Sequence, residues 1–195
     1  MFNRALYWAS GFLRAKAIKG PQGEPYLERY MLHRGRESAL FLHRFLDSDP
    51  DRGLHDHPWK VSVSLILWGG YTERRLVREV GADGVERTRM IVRRMRPGML
   101  NIIRGADCHQ VVLDGPRPPW TIFWHGPRIK PWGFFVAKGG TPKVAGPYEH
   151  ERYDPFMDDK PETAWEKTAP RGRDLPGRMP ENHVIATFQG APERA

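Results

Sequence analysis

Between residues 25 and 137 the chain is a succession of short apolar or β-branched runs, each closed by a turn signal. The runs lie near 26–32, 39–46, 54–67, 71–78, 86–95, 99–104, 108–113, 119–125 and 132–136. Gly35, Asp47-Ser48-Asp49-Pro50, Gly69-Gly70, Gly81-Ala82-Asp83-Gly84, Pro97-Gly98, Gly105, Asp114-Gly115-Pro116 and Gly126-Pro127 separate them. Strands of this length at such regular intervals, with no helical pattern between them, pack as an antiparallel sandwich or barrel. Gly69-Gly70 suits a tight hairpin, whose positive-φ positions cost glycine nothing.

The flanks read differently. Phe2, Leu6, Ala9, Leu13 and Ala17 recur at helical spacing, Ala5 and Phe12 widen the stripe, and Gly20-Pro21 stops it. This predicts a short amphipathic helix and lead-in over residues 1–24, ahead of a barrel over 25–140. Past Gly139, prolines 142, 147, 155, 161, 170, 176 and 180 arrive among charges, with isolated aromatics. The expectation for 141–195 is an extended arm laid over the barrel or a partner subunit, with Val184 to Phe188 as one late strand.

At 195 residues the chain is long enough for one domain with a core. Its one cysteine, Cys108, excludes an intramolecular disulfide framework and a Cys-rich zinc site, and fits a cytoplasmic setting. Alternation points Cys108 away from His109, as a buried structural thiol. The longest uncharged apolar run, Val61 to Trp68, falls far short of the roughly 20 residues of a membrane span, so no membrane is expected.

The net charge of +8 divides into +10 over residues 1–142 and −2 over 143–195. Arginines crowd 74–96, and Arg87, Arg89 and Arg93 share one strand face, expected to be the outer one. A charged, solvated strand edge is the first reading. A phosphate-contacting surface for nucleic acid is the second, resting on charge alone.

The chemistry concentrates at Leu54-His55-Asp56-His57-Pro58-Trp59. Two histidines one residue apart on a strand project to the same face, with Cα atoms about 6–7 Å apart, and their neutral imidazoles can converge on one metal ion. A third histidine, His109, follows the segment that begins at Pro97-Gly98. Imidazoles suit Fe, Ni, Cu and Zn, and three neutral ones leave the ion's full charge to attract water, hydroxide or an anionic group.

These stretches resemble the two motifs of the cupin superfamily. The first reads G, five residues, H-x-H, three or four residues, E, six residues, G; the second reads G, five residues, P-x-G, two residues, H. His55 and His57 match the first pair, Gly69 the closing glycine, Gly98 the second opening glycine and His109 its histidine; the resemblance spans about residues 39–125. Three features depart from it. The glutamate position is Val61 or Ser62, P-x-G is Arg104-Gly105-Ala106, and the first glycine stands close, at Gly53.

The resemblance implies an all-β antiparallel double-stranded β-helix, or jelly-roll, with His55, His57 and His109 on one divalent transition metal. Similar three-histidine cupins include non-haem iron dioxygenases, which implies Fe(II) first, with Zn(II) or Ni(II) as substitutes. Oxygen-dependent cleavage or hydroxylation of a small polar or anionic substrate, by a homodimeric enzyme, follows as the expectation.

Other residues take roles around that centre. Glu73, past the hairpin, shares a strand face with Tyr71. It is read as a catalytic base, a fourth ligand or an acceptor for an imidazole N–H, or else as a surface partner of Arg74 or Arg75. Arg44, Arg104 and Arg128 are read as clamps for a substrate carboxylate or phosphate. His43 is read as a neutral core histidine, His125 as a rim residue, and Trp59, Trp120, Trp124 and Trp132 as mostly core. Two other functions fit the same residues: a non-catalytic ligand or nucleic-acid module, and a zinc or metal-free isomerase working through a histidine or Glu73.

Overall fold

A computed structural model describes residues 1–20, 23–49, 54–80, 82–84, 86–113, 115–137, 150–153 and 164–184. Helix α1 (Phe2–Ser10) is followed by β1 (Ala15–Lys19), β2 (Pro25–Arg34), β3 (Ala39–Phe45), β4 (Leu54–His55), β5 (Val61–Trp68) and β6 (Tyr71–Val80). Then come β7 (Glu86–Met95), β8 (Leu100–Arg104), β9 (Cys108–Val112), β10 (Trp120–His125), β11 (Phe134–Ala137) and β12 (His150–Tyr153).

The strands form two six-stranded sheets, ordered β1-β2-β3-β10-β5-β8 and β12-β11-β4-β9-β6-β7, with antiparallel pairing throughout. From β3 to β10 the chain passes between the sheets so that β3-β10-β5-β8 faces β4-β9-β6-β7. That strand order is the eight-stranded jelly-roll, or double-stranded β-helix. Leu27, Phe45, Ile66, Tyr71, Met95 and Val111 fill one part of its interior; Ala39, Phe41, Trp59 and Phe123 fill another.

The helical stripe of the N-terminus ends earlier than its spacing predicts. The helix stops at Ser10, and Ala15 to Lys19 become an edge strand paired with Pro25 to Tyr30. The gain of a ladder along β2 outweighs a local helical preference, which is only a weak prior. The run 54–67 likewise divides, into β4 and β5 in opposite sheets. In β5 the serines face inward: Ser62 and Ser64 are buried while Val63 and Leu65 are half-buried on the outside. The inner face at that level is lined for polar contact.

A second apolar layer covers the outer face of the first sheet. Tyr30, Leu42 and Trp120 pack there against Leu6, Tyr7 and Leu13, joined by Leu175 from the C-terminal segment. Trp120 Nε1 donates to Asn3 Oδ1 at 2.7 Å, which satisfies the buried indole. Residues 170–181 lie along this layer: Ala15 N–H donates to the Pro170 carbonyl at 2.9 Å and Gly172 N–H to that of Leu13 at 2.8 Å. A side chain at position 172 would meet the Ser10 carbonyl at 2.3 Å, so the approach requires glycine. At the β5–β6 hairpin, Gly69 sits at φ +71, as the turn demands.

One further expectation changes, and another falls largely outside the described residues. Arg93 and Arg89 pair in register with Glu73 and Val77, so they belong to the parity that faces inward along β6, not outward. Their side chains remain exposed. In the expected late strand only Val184 is described; residues 185–188, Gly53 and most of the arm's prolines lie outside the described residues.

Candidate metal centre

His55 closes the two-residue strand β4 and stands directly opposite His109 of β9 in the antiparallel register. His57 follows two residues later, its ring stacked 5.4 Å from that of His55 with 14° between planes. One ring nitrogen from each of the three histidines lies within 4.8 Å of the others. Nε2 of His57 is 2.9 Å from Nε2 of His109, a separation two nitrogens reach when each is about 2.0–2.1 Å from one shared ion.

The opposite nitrogen of each ring faces an oxygen. His57 Nδ1 lies 3.0 Å from Ser62 Oγ, His109 Nδ1 lies 3.0 Å from Glu73 Oε1, and His55 Nδ1 is 3.6 Å from Asp49 Oδ2. Outer-nitrogen partners of this kind fix the ring orientation and tautomer of metal-binding histidines. Ser62 does this from a position where the family motif carries glutamate. Burial, reinforced by the neighbouring His109, His55, Arg29 and His43, holds His57 well below the usual imidazole range. A neutral ring is the form that binds metal.

Glu73 is fully buried and stands behind His109, outside the cavity wall. Its Oε1 accepts from Asn101 Nδ2 at 2.7 Å and from Arg75 Nη2 at 2.9 Å. Burial alone would push the carboxyl up, but the His109, Arg75 and Asn101 bonds outweigh it and bring it to about 2. Of its expected roles, the geometry matches the acceptor for an imidazole N–H. Glu73 is not among the residues that line the cavity, and its Oε1 is engaged by His109, Arg75 and Asn101.

The histidines open onto a cavity of about 310 Å³ walled by Leu27, Phe45, Trp59, Tyr71, Phe123 and Trp132 among others. Its polar walls include Arg29, His43, Asp49 and Ser64. Trp132 is set by Asp56, the residue between the two histidines. Asp56 Oδ1 accepts from Gly133 N–H at 2.8 Å, and Oδ2 pairs with Lys130.

None of the three expected clamp arginines reaches this cavity. Arg44 has the opposite parity to His43, so it is buried on the outer face, donating to Glu28 and to the carbonyls of Met179, Pro180 and Glu181. Arg104 and Arg128 are exposed outside the cavity wall. His125 is buried against Trp59, with ring centroids 4.2 Å apart, and does not line the cavity. Cys108 is buried, as alternation predicts.

Two cations line the cavity, exposed Lys19 and buried Arg29, and sequence reasoning passed over the second. The available signal was parity: Leu27 and Arg29 alternate on β2, so an inward leucine implies an inward arginine. Asp49 was read only as part of a turn. Its carboxylate takes the Tyr26 hydroxyl and the Val111 N–H, the latter at 2.5 Å, and so ties the turn to the histidine strand β9.

No protein-family model matches the chain, and no curated protein matches it in sequence. Solved structures do resemble it at low identity. An uncharacterised protein with a double-stranded β-helix domain from Klebsiella pneumoniae is 15% identical, covering 60% of this chain and 90% of that one, with a TM-score of 0.40. An RmlC-like cupin from Shewanella frigidimarina is 18% identical over 59% of this chain and 84% of that one, TM-score 0.39. Hydroxypropylphosphonic acid epoxidase from S. wedmorenis is 11% identical over 57% of this chain and 55% of the epoxidase, TM-score 0.40. The chain thus spans about half the epoxidase's length. By its own strand order and the strands that carry its histidines, the chain has the cupin fold.

Proposed function

We propose that the protein is a metal-dependent enzyme whose centre is held by His55, His57 and His109, with Fe(II) as the working ion. The observation that supports this reading is the convergence of three ring nitrogens within 4.8 Å, with an oxygen facing the far side of each ring. Imidazole donors suit Fe, Zn, Ni and Cu, and the motif resemblance favours Fe(II). An Fe(II) ion held by His55, His57 and His109 would supply oxygen-dependent redox chemistry. The proposed reaction is cleavage or hydroxylation of a small polar or anionic molecule.

The chain's own residues supply everything around that ion. Ser62 and Glu73 hold the rings of His57 and His109 in place, and the Asp49 carboxylate stands 3.6 Å from His55 Nδ1. Leu27, Phe45, Phe123, Trp59 and Trp132 exclude water, which strengthens every charge interaction inside. Asp56 fixes the loop that carries Trp132 through its bonds to Gly133 and Lys130. Oxygen uptake by the Fe(II)-loaded protein against a panel of small carboxylic and hydroxy acids tests the reading. At least one acid should drive uptake that His57→Ala abolishes; uptake retained in that variant overturns the assignment.

A further inference from the structure

Where the β5–β6, β7–β8 and β9–β10 connections meet, the surface holds a hollow of about 520 Å³ that shares no lining residue with the histidine cavity. Close backbone approach brings the three connections together. A side chain at Gly70 would meet the Met95 carbonyl at 2.6 Å, and one at Gly69 would meet Pro119 Cα at 3.1 Å. The β7–β8 connection is a tight turn in which Met99 N–H donates to the Arg96 carbonyl at 3.0 Å. Pro97 and Gly98, the latter at φ +88, occupy its corners as a type II turn requires. On the β9–β10 side, Arg117 stands between Pro116 and the buried Pro118, whose rings fix the backbone around it.

Three arginines line this hollow, Arg94, Arg96 and Arg117, and among its described lining residues there is no carboxylate. The Arg117 guanidinium carbon lies 5.9 Å from the centre of the half-buried Trp68 ring, and Trp68 leans on Phe2 of α1 with 6.2 Å between centroids. Arg94 is engaged in an interaction of its own. Arg96 and Arg117 are exposed, and among the described residues neither guanidinium has a carboxylate partner.

We propose that this hollow is a phosphate-binding site, in which Arg96 and Arg117 take the oxygens of a phosphate group carried by a nucleotide or by a nucleic-acid strand. The site stands apart from the metal centre and does not depend on it. Like charges lining one concave surface repel one another, and a bound anion relieves that repulsion. A phosphate carries more charge than a single carboxylate, and its oxygens match the guanidinium fork. Turns stiffened by Pro97, Pro116 and Pro118 hold the two arginines, so little ordering cost is left for binding.

Isothermal titration calorimetry with pyrophosphate, ATP, a short oligothymidylate and succinate tests the proposal. Wild type should bind at least one of the three phosphate ligands about tenfold or more tighter than succinate. Pyrophosphate or ATP binding as tightly as the oligonucleotide assigns the site to small phosphate compounds, and binding of the oligonucleotide alone assigns it to a polynucleotide backbone. In the second case affinity should fall about tenfold between about 50 and 200 mM salt, the drop that two to three neutralised phosphates produce on a single strand. Arg96→Gln and Arg117→Gln should each weaken binding about five- to tenfold and lessen the salt dependence, while Arg104→Gln, which removes an exposed arginine outside the hollow, should leave both unchanged. Elemental analysis should find the metal content of all three variants equal to wild type, which separates this site from the histidine centre. No binding of any phosphate ligand, succinate bound as tightly as phosphate, or equal weakening by Arg104→Gln overturns the proposal. Wild-type affinity in the Arg96→Gln, Arg117→Gln double variant overturns it as well.

Discussion

Glu73 Oε1 lies 3.0 Å from Nδ1 of His109, on the far side of the ring from the nitrogen that meets His57. The carboxylate thus sets which nitrogen of His109 points at the centre, and it enriches that nitrogen as a donor. Glu73→Gln preserves shape and removes the charge. It should weaken metal affinity by about 10–100-fold while the fold persists, measured by competition against a chromogenic chelator. Wild-type affinity in that variant would show that Glu73 serves packing alone.

The same carboxyl predicts a stability change in acid. Its folded value of about 2 lies below its ordinary 4.5, so the folded state favours the ionised form. That contribution is present above about pH 4.5 and is lost as pH falls toward 2. Urea midpoints across this range should drop more steeply for wild type than for Glu73→Gln. Parallel curves contradict the linkage.

The buried histidines act at higher pH. Burial first, then the charges of Arg29, His125 and Lys16, hold His43 well below its ordinary 6.5. Unfolded chains therefore take up protons near pH 6.5 that the folded protein refuses, and stability falls as pH drops below that value. The slope reaches about 1.4 kcal/mol per pH unit for each such histidine. His43→Gln should flatten the metal-free protein's stability profile between pH 7 and pH 5. A profile that keeps its full slope would place His43 in an ordinary solvated environment.

Arg44 and Glu28 form a buried pair at 3.0 Å, with Arg44 fully buried. Removing one partner leaves the other charge buried, so Arg44→Met should cost about 3–5 kcal/mol in chemical unfolding. Metal content should stay at the wild-type level, because Arg44 faces the outer layer and not the cavity. A variant that loses metal at unchanged stability would contradict that placement.

The barrel was legible because its signals are local. Gly69-Gly70 marks a turn by backbone chemistry, and His55-Asp56-His57 marks a shared face by strand period. What escaped depends on partners distant in the chain. Ala15 to Lys19 carry a helical stripe, and only the ladder with β2 makes them a strand. Arg44 and Arg29 look alike as strand arginines; parity against His43 sends one to the outer face and the other into the cavity. Ser62 occupies a motif position expected to hold glutamate, and its bond to His57 emerges only from the packing of β5 against the histidine segment. Asp49 reads as a turn residue until its carboxylate is seen beside His55.

The central claim is that three histidines hold one ion, and elemental analysis of protein purified without chelator tests it most directly. Wild type should carry about one equivalent of a transition metal per chain, predominantly iron under anaerobic purification. His57→Ala should carry little, because His57 supplies the buried nitrogen 2.9 Å from that of His109. Stoichiometric metal in His57→Ala, or wild type that takes up neither iron nor another transition ion when offered it, would contradict the account.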